Sequence, residues 1–591
     1  MFNRHNDKKK RKPVAPTFGS APGKIDSVRN LENFVVEEIE LVDRSVSQSQ
    51  RRYRTPPRWW PMIRVAAATI SLLSIVVAAA LATRSAWPTD ETRWLAMAWE
   101  MWTHGEWLVP RLNGATAAVP PLFFWVVHLG WKIFGVVEWW ARLVPALFML
   151  GSLLLAARMA HLLWPGAGLH ARYTPLALLG SFYWVVSATF LSADMLTVFF
   201  TLAAISALLW MWRARDLRVW PLLGFALGFG LLSSGSLIFL YVIPVALLAP
   251  MWARGTLSMP WKYWYADIFK SVFVALAIYA AWAVPASKIM GVTAVFAPLL
   301  SPLTAHTLDL FAGTRPWWWY LFLLPWLAFP WALWPLPWLR FWHIRREPIS
   351  NGLAFCMVWA VSVLTLFSFF ETKQPQFLLP VVAAFILVAA WLLLDEEHTS
   401  HDHSRLVSTM IFPLILLGGL LAVLPNMARV PFLPEFLWQL SPFVGVSIVG
   451  VGVAVGWLPL PAIEMRVVNM AVTVVVLSTL ALLASGWQFN MHYELNAAAQ
   501  TLAKAEQQGV AVAHLGAYRG QYHFVGRLTK PLEVITPQQL ELWVVGHPDG
   551  LVVSYQDSWQ PRAVPGMAPL YEQPYGNTHL RIWTAAALKG G

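Results

Sequence analysis

Residues 65–82 read Val-Ala-Ala-Ala-Thr-Ile-Ser-Leu-Leu-Ser-Ile-Val-Val-Ala-Ala-Ala-Leu-Ala and run directly into Thr83-Arg84-Ser85-Ala86-Trp87-Pro88-Thr89-Asp90-Glu91-Thr92-Arg93. The first part is apolar on every face, without the strict alternation of an outer-membrane strand. About twenty such residues span a bilayer core, so the stretch predicts a transmembrane helix that delivers a charged loop to the membrane surface. Equivalent stretches follow at about 142–164, 174–192, 196–212, 219–233, 237–252, 268–288, 318–338, 351–370, 376–394, 408–425, 440–460 and 467–486, which with 62–84 makes thirteen spans. The fold class expected is a polytopic α-helical membrane protein.

Composition agrees. Apolar residues make up 57% of the 591 and charged residues 13%, which excludes a disordered chain, a coiled coil and an ordinary soluble enzyme. The net charge of +12 is uneven: residues 1–61 hold 13 Lys/Arg against 7 Asp/Glu, whereas residues 488–591 hold 7 of each. That pattern argues against nucleic-acid binding and for a cytoplasmic basic tail, with the run Lys8-Lys9-Lys10-Arg11-Lys12 against anionic lipid rather than a nuclear signal. No signal peptide is read before it, and the tail is expected to be mostly disordered, with a short helix near 31–42. The single cysteine, Cys356, lies in an apolar stretch and allows no intrachain disulfide.

The apolar stretch 117–137 is assigned to the interface rather than to a crossing. Pro120-Pro121, His128, Lys132 and Glu138 suit a surface helix, and a crossing would move Arg172 outside and Asp194 inside. The external loop is then 85–141. Internal loops carry Arg172, Arg213, Arg215, Arg218, Arg254, Lys262, Lys270, Arg340, Arg345, Arg346, Arg405 and Arg466, a bias that places the N-terminus in the cytoplasm and, with an odd number of spans, the C-terminus in the periplasm. The domains expected are a tail at 1–61, a transmembrane domain at 62–487 and a small α/β domain at 488–591. In that last domain 495–508 reads as a helix, 510–515 as a strand, and 542–545 with 551–554 as two strands paired around His547-Pro548-Asp549-Gly550.

Carboxylates at the edge of a bilayer are costly, so each is a functional hypothesis. Asp90-Glu91 opens the external loop, and Asp194, in Leu-Ser-Ala-Asp-Met-Leu, lies at the external junction of two spans. Such a pair could bind or deprotonate an acceptor nucleophile; alternatively each aspartate caps the helix that follows it.

A resemblance decides between these readings. The order Asp90-Glu91-x-Arg93, Gly105-Glu106-Trp107, Pro110-Arg111-Leu112-Asn113-Gly114, Pro120-Pro121-Leu122-Phe123-Phe124-Trp125, Phe134-Gly135 and Ala141-Arg142-Leu143 resembles the bacterial aminoarabinose transferases that modify lipid A, relatives of the protein O-mannosyltransferases. Ser192-Ala193-Asp194-Met195, Gly228-x-Gly230-Leu231-Leu232, Pro330-Trp331 and Thr372-Lys373-x-Pro375-x-Phe377-Leu378-Leu379-Pro380 continue the series over roughly residues 62–395. The resemblance implies a C-type (GT-C) glycosyltransferase of the bacterial inner membrane. It takes a sugar from a polyprenyl-phosphate donor and passes it to a glycolipid, glycan or protein acceptor on the external face. It also implies Asp90 as base, Asp194 and Glu91 as further catalytic or acceptor-binding carboxylates, and Lys373, Arg93, Arg111 and Arg315 as phosphate partners.

This chain departs from the family's usual pattern at two places. Ala118-Val119 stands where an acidic residue and a lysine precede the paired prolines, and Ser233-Ser234-Gly235-Ser236 where Thr-Lys-Gly-Pro is usual. Two expected cations and one candidate metal ligand are therefore absent, which leaves the sugar and acceptor open; no cofactor is expected, a divalent metal being the one candidate. The segment Asp395-Glu396-Glu397-His398-Thr399-Ser400-His401-Asp402-His403 could hold a divalent metal but reads better as a solvated loop, and His306 and Asp309 as surface positions. The alternatives from other classes are a transporter or flippase of lipid-linked saccharides, for which no internal repeat is found, and a catalytically degenerate scaffold.

Overall fold

The computed structural model describes residues 60–88, 90–166, 168–214, 217–253, 260–300, 315–344, 348–394, 411–427, 442–457, 463–555, 568–576 and 578–588. The expectations for the tail, for His306 and Asp309 and for 395–403 lie outside these residues. The chain divides after Ile63, and apart from the first residues of the helix Met62–Thr83 the features below belong to the unit Arg64–Gly591.

Seven described helices are long and apolar enough to cross a membrane: Met62–Thr83, Glu138–Leu163, Asp194–Ala214, Trp261–Met290, Asn351–Phe369, Pro375–Leu394 and Ile463–Leu483. Shorter apolar helices, Trp220–Ser234, Leu237–Leu247, Phe412–Asn426 and Pro442–Gly456, match other expected spans. The stretch assigned to the interface forms the helix Leu122–Phe134, of 13 residues. It packs on Glu91–Thr103 through Phe123 and Phe124 against Trp94, and on Glu138–Leu163 through Phe134 against Trp139 and Trp140.

Two expected spans are broken. The stretch 174–192 forms Gly168–Leu179 and Phe182–Ser187, and 318–338 forms Trp319–Leu327 with part of Pro335–Ile344. A broken helix leaves backbone groups that lipid cannot satisfy. Here the two breaks repair each other, since the Phe182 amide donates to the Phe329 carbonyl at 3.1 Å and the Ser181 hydroxyl to the Leu327 carbonyl at 3.3 Å. Gly180 permits the approach: a Cβ there would lie 2.9 Å from the Trp331 ring. Helices Trp220–Ser234 and Trp261–Met290 meet equally closely, and a Cβ on Gly224 or Gly228 would fall within 2.9 Å of Val274 or Ile278.

Several arginines end helices. Arg142 donates to the Arg84 and Ala80 carbonyls, Arg213 to those of Leu162 and Leu163, and Arg340 to those of Leu392 and Leu393. Each takes up carbonyls that have no partner within their own helix.

The C-terminal region forms a mixed five-stranded sheet. Numbered along the chain after a small hairpin, β1 Arg111–Leu112 and β2 Ala115–Thr116, its strands are β3 Val512–Leu515, β4 Glu533–Ile535, β5 Leu551–Tyr555, β6 Tyr571–Tyr575 and β7 Thr578–Thr584, in the order β4-β3-β5-β7-β6. β3 is parallel to β4 and β5, and β7 antiparallel to β5 and β6. Alternate residues serve two cores: Val553, Leu580 and Ile582 join helix Asn496–Gln507 on one face, and Val552 and Trp583 join helix Leu540–Gly546 on the other.

One expectation fails here. Residues 542–545 are helical, and the Asp549-Gly550 turn joins a helix to β5 rather than two strands. Leu540, Trp543 and Val544 are buried while Leu542 and Val545 are exposed, a spacing of three and four that belongs to a helix. The box in which the Thr536 and Gln539 side chains reciprocally cap the turn at Pro537 starts it.

Candidate active site

The helix that follows the first span, Glu91–Thr103, begins at a buried ion pair. Glu91 is 1% exposed and takes two hydrogen bonds from the Arg84 guanidinium, both at 3.0 Å. Its oxygens also accept the Trp87 amide at 2.6 Å and the Leu191 amide at 2.7 Å. Arg84 donates further to the Thr189 carbonyl at 2.9 Å and lies 4.7 Å from the Phe190 ring. Every oxygen of Glu91 is thus engaged, and the pair pins segment 84–91 to segment 189–191, just ahead of Asp194. Arg84→Ala would leave a desolvated carboxylate uncompensated, at a cost of about 3–5 kcal/mol. The expected result is a large loss of thermal stability in detergent; unchanged stability would show that the pair does not hold these segments together.

Asp90 stands at the N-cap position of the same helix, and its side chain makes no capping hydrogen bond. It is half-buried, as is Asp194, the first residue of helix Asp194–Ala214. The Ser192 hydroxyl donates to Asp194 Oδ2 at 2.8 Å. Asp194 lines a cavity with Thr197, Val198, Leu237, Tyr241, Gln376, Phe377 and Pro380.

The cavity residues Gln376, Phe377 and Pro380 follow Lys373 in the chain. Lys373 is 2% exposed; its ammonium donates to the Arg315 carbonyl at 3.1 Å and to the Phe370 carbonyl. Burial pulls it below the ordinary lysine range, with the charge of Glu371 opposing. The Arg315 amide in turn donates to the Glu371 carbonyl at 3.2 Å, so Arg315 and Lys373 sit on adjoining strips of backbone. The Gln374 amide donates to the Tyr320 hydroxyl at 3.1 Å, which donates back to the Gln374 carbonyl at 3.2 Å. Gln376 donates to the Gln374 side chain at 2.8 Å, and Tyr241 to the Phe377 carbonyl at 2.8 Å. Tyr183, Tyr241, Tyr320, Gln374 and Gln376 were not singled out in the sequence; two amide side chains flanking Pro375 at the start of an apolar span were the available signal.

The remaining cations separate. Arg93 is buried one turn after Asp90, on the same side of the helix. Arg111, on β1, forms a two-pronged pair with Glu106 at 2.9 and 3.1 Å and also reaches the Gly114 carbonyl at 3.3 Å. Glu106 holds the proton on Arg111 more firmly than usual, and the guanidinium is committed within its own hairpin. At the family-divergent serines, Ser233 and Ser234 donate to the Gly230 carbonyl and Ser236 to the Pro298 carbonyl. Among the described residues no cluster of three metal-ligating side chains occurs.

Residues 118–282 match the family described as dolichyl-phosphate-mannose-protein mannosyltransferase. Similar curated proteins include the undecaprenyl phosphate-alpha-4-amino-4-deoxy-L-arabinose arabinosyl transferase of Pseudomonas paraeruginosa, 29% identical over 333 residues that cover 54% of this chain and 57% of that protein. A Pseudomonas fluorescens protein carrying the same name with the number 2 is 25% identical over 380 residues, 63% of this chain and 62% of its own. The similarity thus spans less than two thirds of the length of these two relatives. Crystal structures of ArnT from Cupriavidus metallidurans, bound to undecaprenyl phosphate and in the apo state, superpose with TM-scores of 0.67 and 0.69 at 19% identity, each covering 88% of this chain and 98% of ArnT. The resemblance drawn from the ordered motifs is therefore borne out, and the fold is the ArnT-like GT-C fold.

Proposed function

We propose that this chain, an ArnT-like polytopic membrane protein, is a glycosyltransferase of the bacterial inner membrane. It moves a sugar from a polyprenyl-phosphate donor, with undecaprenyl phosphate the carrier suggested by the relatives, to an acceptor at the periplasmic face. A lipid A-like glycolipid is the first choice of acceptor. The observation that carries this reading is the Asp194 cavity, lined by Gln376, Phe377 and Pro380 from the stretch that follows the buried Lys373, with the Glu91–Leu191 bond tying the stretch after Asp90 to the stretch before Asp194.

In this reading Asp194 and its neighbouring hydroxyls orient the acceptor, and Asp90 takes the acceptor's hydroxyl proton. The new bond forms at the sugar's anomeric carbon as the bond to phosphate breaks, and the polyprenyl phosphate departs with its charge offset by Lys373 and Arg93. Glu91 and Arg111, engaged by Arg84 and Glu106, hold the structure around that chemistry. Arg315 contributes its carbonyl to Lys373.

Purified protein in proteoliposomes, given defined polyprenyl-phosphate sugars and glycolipid acceptors, is expected to release polyprenyl phosphate and label the acceptor. Movement of intact donor across the bilayer with no bond cleaved would identify a transporter instead. The reading also places the N-terminus in the cytoplasm and the C-terminal domain in the periplasm. A reporter fused after Gly591 should be periplasmic and one in loop 395–406 cytoplasmic; the same compartment for both would sink this topology.

A further inference from the structure

We propose that Asn113, Glu100 and Gly520 are positioning residues through which the C-terminal sheet domain sets the place of Arg93. The inference rests on the reading of Arg93 as a partner of the donor phosphate. Gly520 adopts φ +83°, and a Cβ on it would lie 2.7 Å from both Ala96 Cβ and Leu112 Cδ1, and 3.8 Å from the Arg93 Cα. The domain's backbone therefore rests against the turn of helix that carries Arg93.

Two polar ties hold that approach. Asn113, in the left-handed region at φ 55°, pairs its side chain with the backbone of Leu532: its oxygen accepts the amide at 2.7 Å, and its nitrogen donates to the carbonyl at 2.9 Å. The turn it occupies is tied in turn to the helix. Glu100, 3% exposed, accepts the amides of Asn113 at 2.5 Å and Gly114 at 2.9 Å, with His523 Nε2 of the sheet domain 3.7 Å away. Alongside, the Trp99 indole donates to the Leu528 carbonyl at 2.7 Å, and Arg527 donates to the Val136 carbonyl at 3.1 Å. Helix, turn and domain form one continuous polar chain across residues 419 apart in sequence. A domain needed only for its own sake would not require its backbone pressed on the helix that carries Arg93.

The test is Asn113→Gly in the full-length protein, since glycine accepts the left-handed backbone and removes only the two side-chain hydrogen bonds. Amide hydrogen exchange is expected to rise at 111–116 and 528–533 and also at 91–96. Donor KM should rise about tenfold, because a small displacement of Arg93 weakens its hold on the donor phosphate. Loss of folded protein would lower the maximal rate without moving KM. Should Asn113→Gly fold poorly, Trp99→Phe, which keeps a smaller aromatic ring and drops the indole hydrogen bond to Leu528, is expected to move the same readouts in the same direction. Exchange unchanged at 91–96, or donor KM unchanged while 91–96 loosens, overturns the proposal. Should wild-type protein transfer no sugar, the functional reading falls, and the exchange at 91–96 still decides the coupling.

Discussion

Asp90→Asn is expected to insert and fold normally and to transfer sugar about 10²–10⁴-fold more slowly, the usual range for loss of a general base. Asparagine keeps the shape and one acceptor of the carboxylate but offers no site for the acceptor's proton. The competing role is helix capping, and there asparagine is as good as aspartate, so a cap predicts near-normal transfer. The structure weakens that competitor, because Asp90 stands at the N-cap position and its side chain makes no capping hydrogen bond. The two roles agree on stability and differ by orders of magnitude in rate. Near-wild-type transfer by a normally inserted Asp90→Asn protein, measured with saturating donor in proteoliposomes, would leave the assignment of a base untenable.

Lys373→Ala is expected to cut kcat/KM for the donor by about 10²–10³-fold, the loss typical of removing one preorganised charge-stabilising donor. Acceptor dependence should change far less. Because burial lowers the lysine's affinity for its proton, its charge is lost on raising pH before an ordinary lysine, near 10.4, would lose it. Donor binding by the wild type should therefore weaken at moderately alkaline pH. Lys373→Arg, whose charge persists, should hold binding to higher pH. Identical alkaline profiles for Lys373→Arg and the wild type would detach the decline from this residue, and unchanged donor kinetics in Lys373→Ala would remove it from the site.

The span pattern was readable because lipid imposes one local rule, a run of apolar residues long enough to cross, and 62–84, 142–164 and 467–486 each obey it without reference to the rest of the chain. The breaks within 174–192 and 318–338 were not. Pro175 and Gly180 could have suggested one of them, but the groups that make a break tolerable, the Phe329 and Leu327 carbonyls, come from another part of the sequence. Residues 542–545 were misread for a different reason: four apolar residues fit either a strand or a helix, and only the burial of Leu540 with Trp543 and Val544 distinguishes them.

By itself the sequence determined that the chain lives in a membrane, in what order its apolar segments follow, and that Asp90, Glu91, Asp194 and Lys373 lie at segment ends. Those properties follow from composition and spacing along a single stretch. Only the tertiary structure decided what each of these acids meets. Glu91 meets Arg84 seven residues away and the Leu191 amide one hundred residues away, whereas Asp194 lines a cavity with Tyr241 and Gln376. The physical reason is that a carboxylate's charge is set by whatever folds against it, and partners so distant in sequence leave no local periodicity to read.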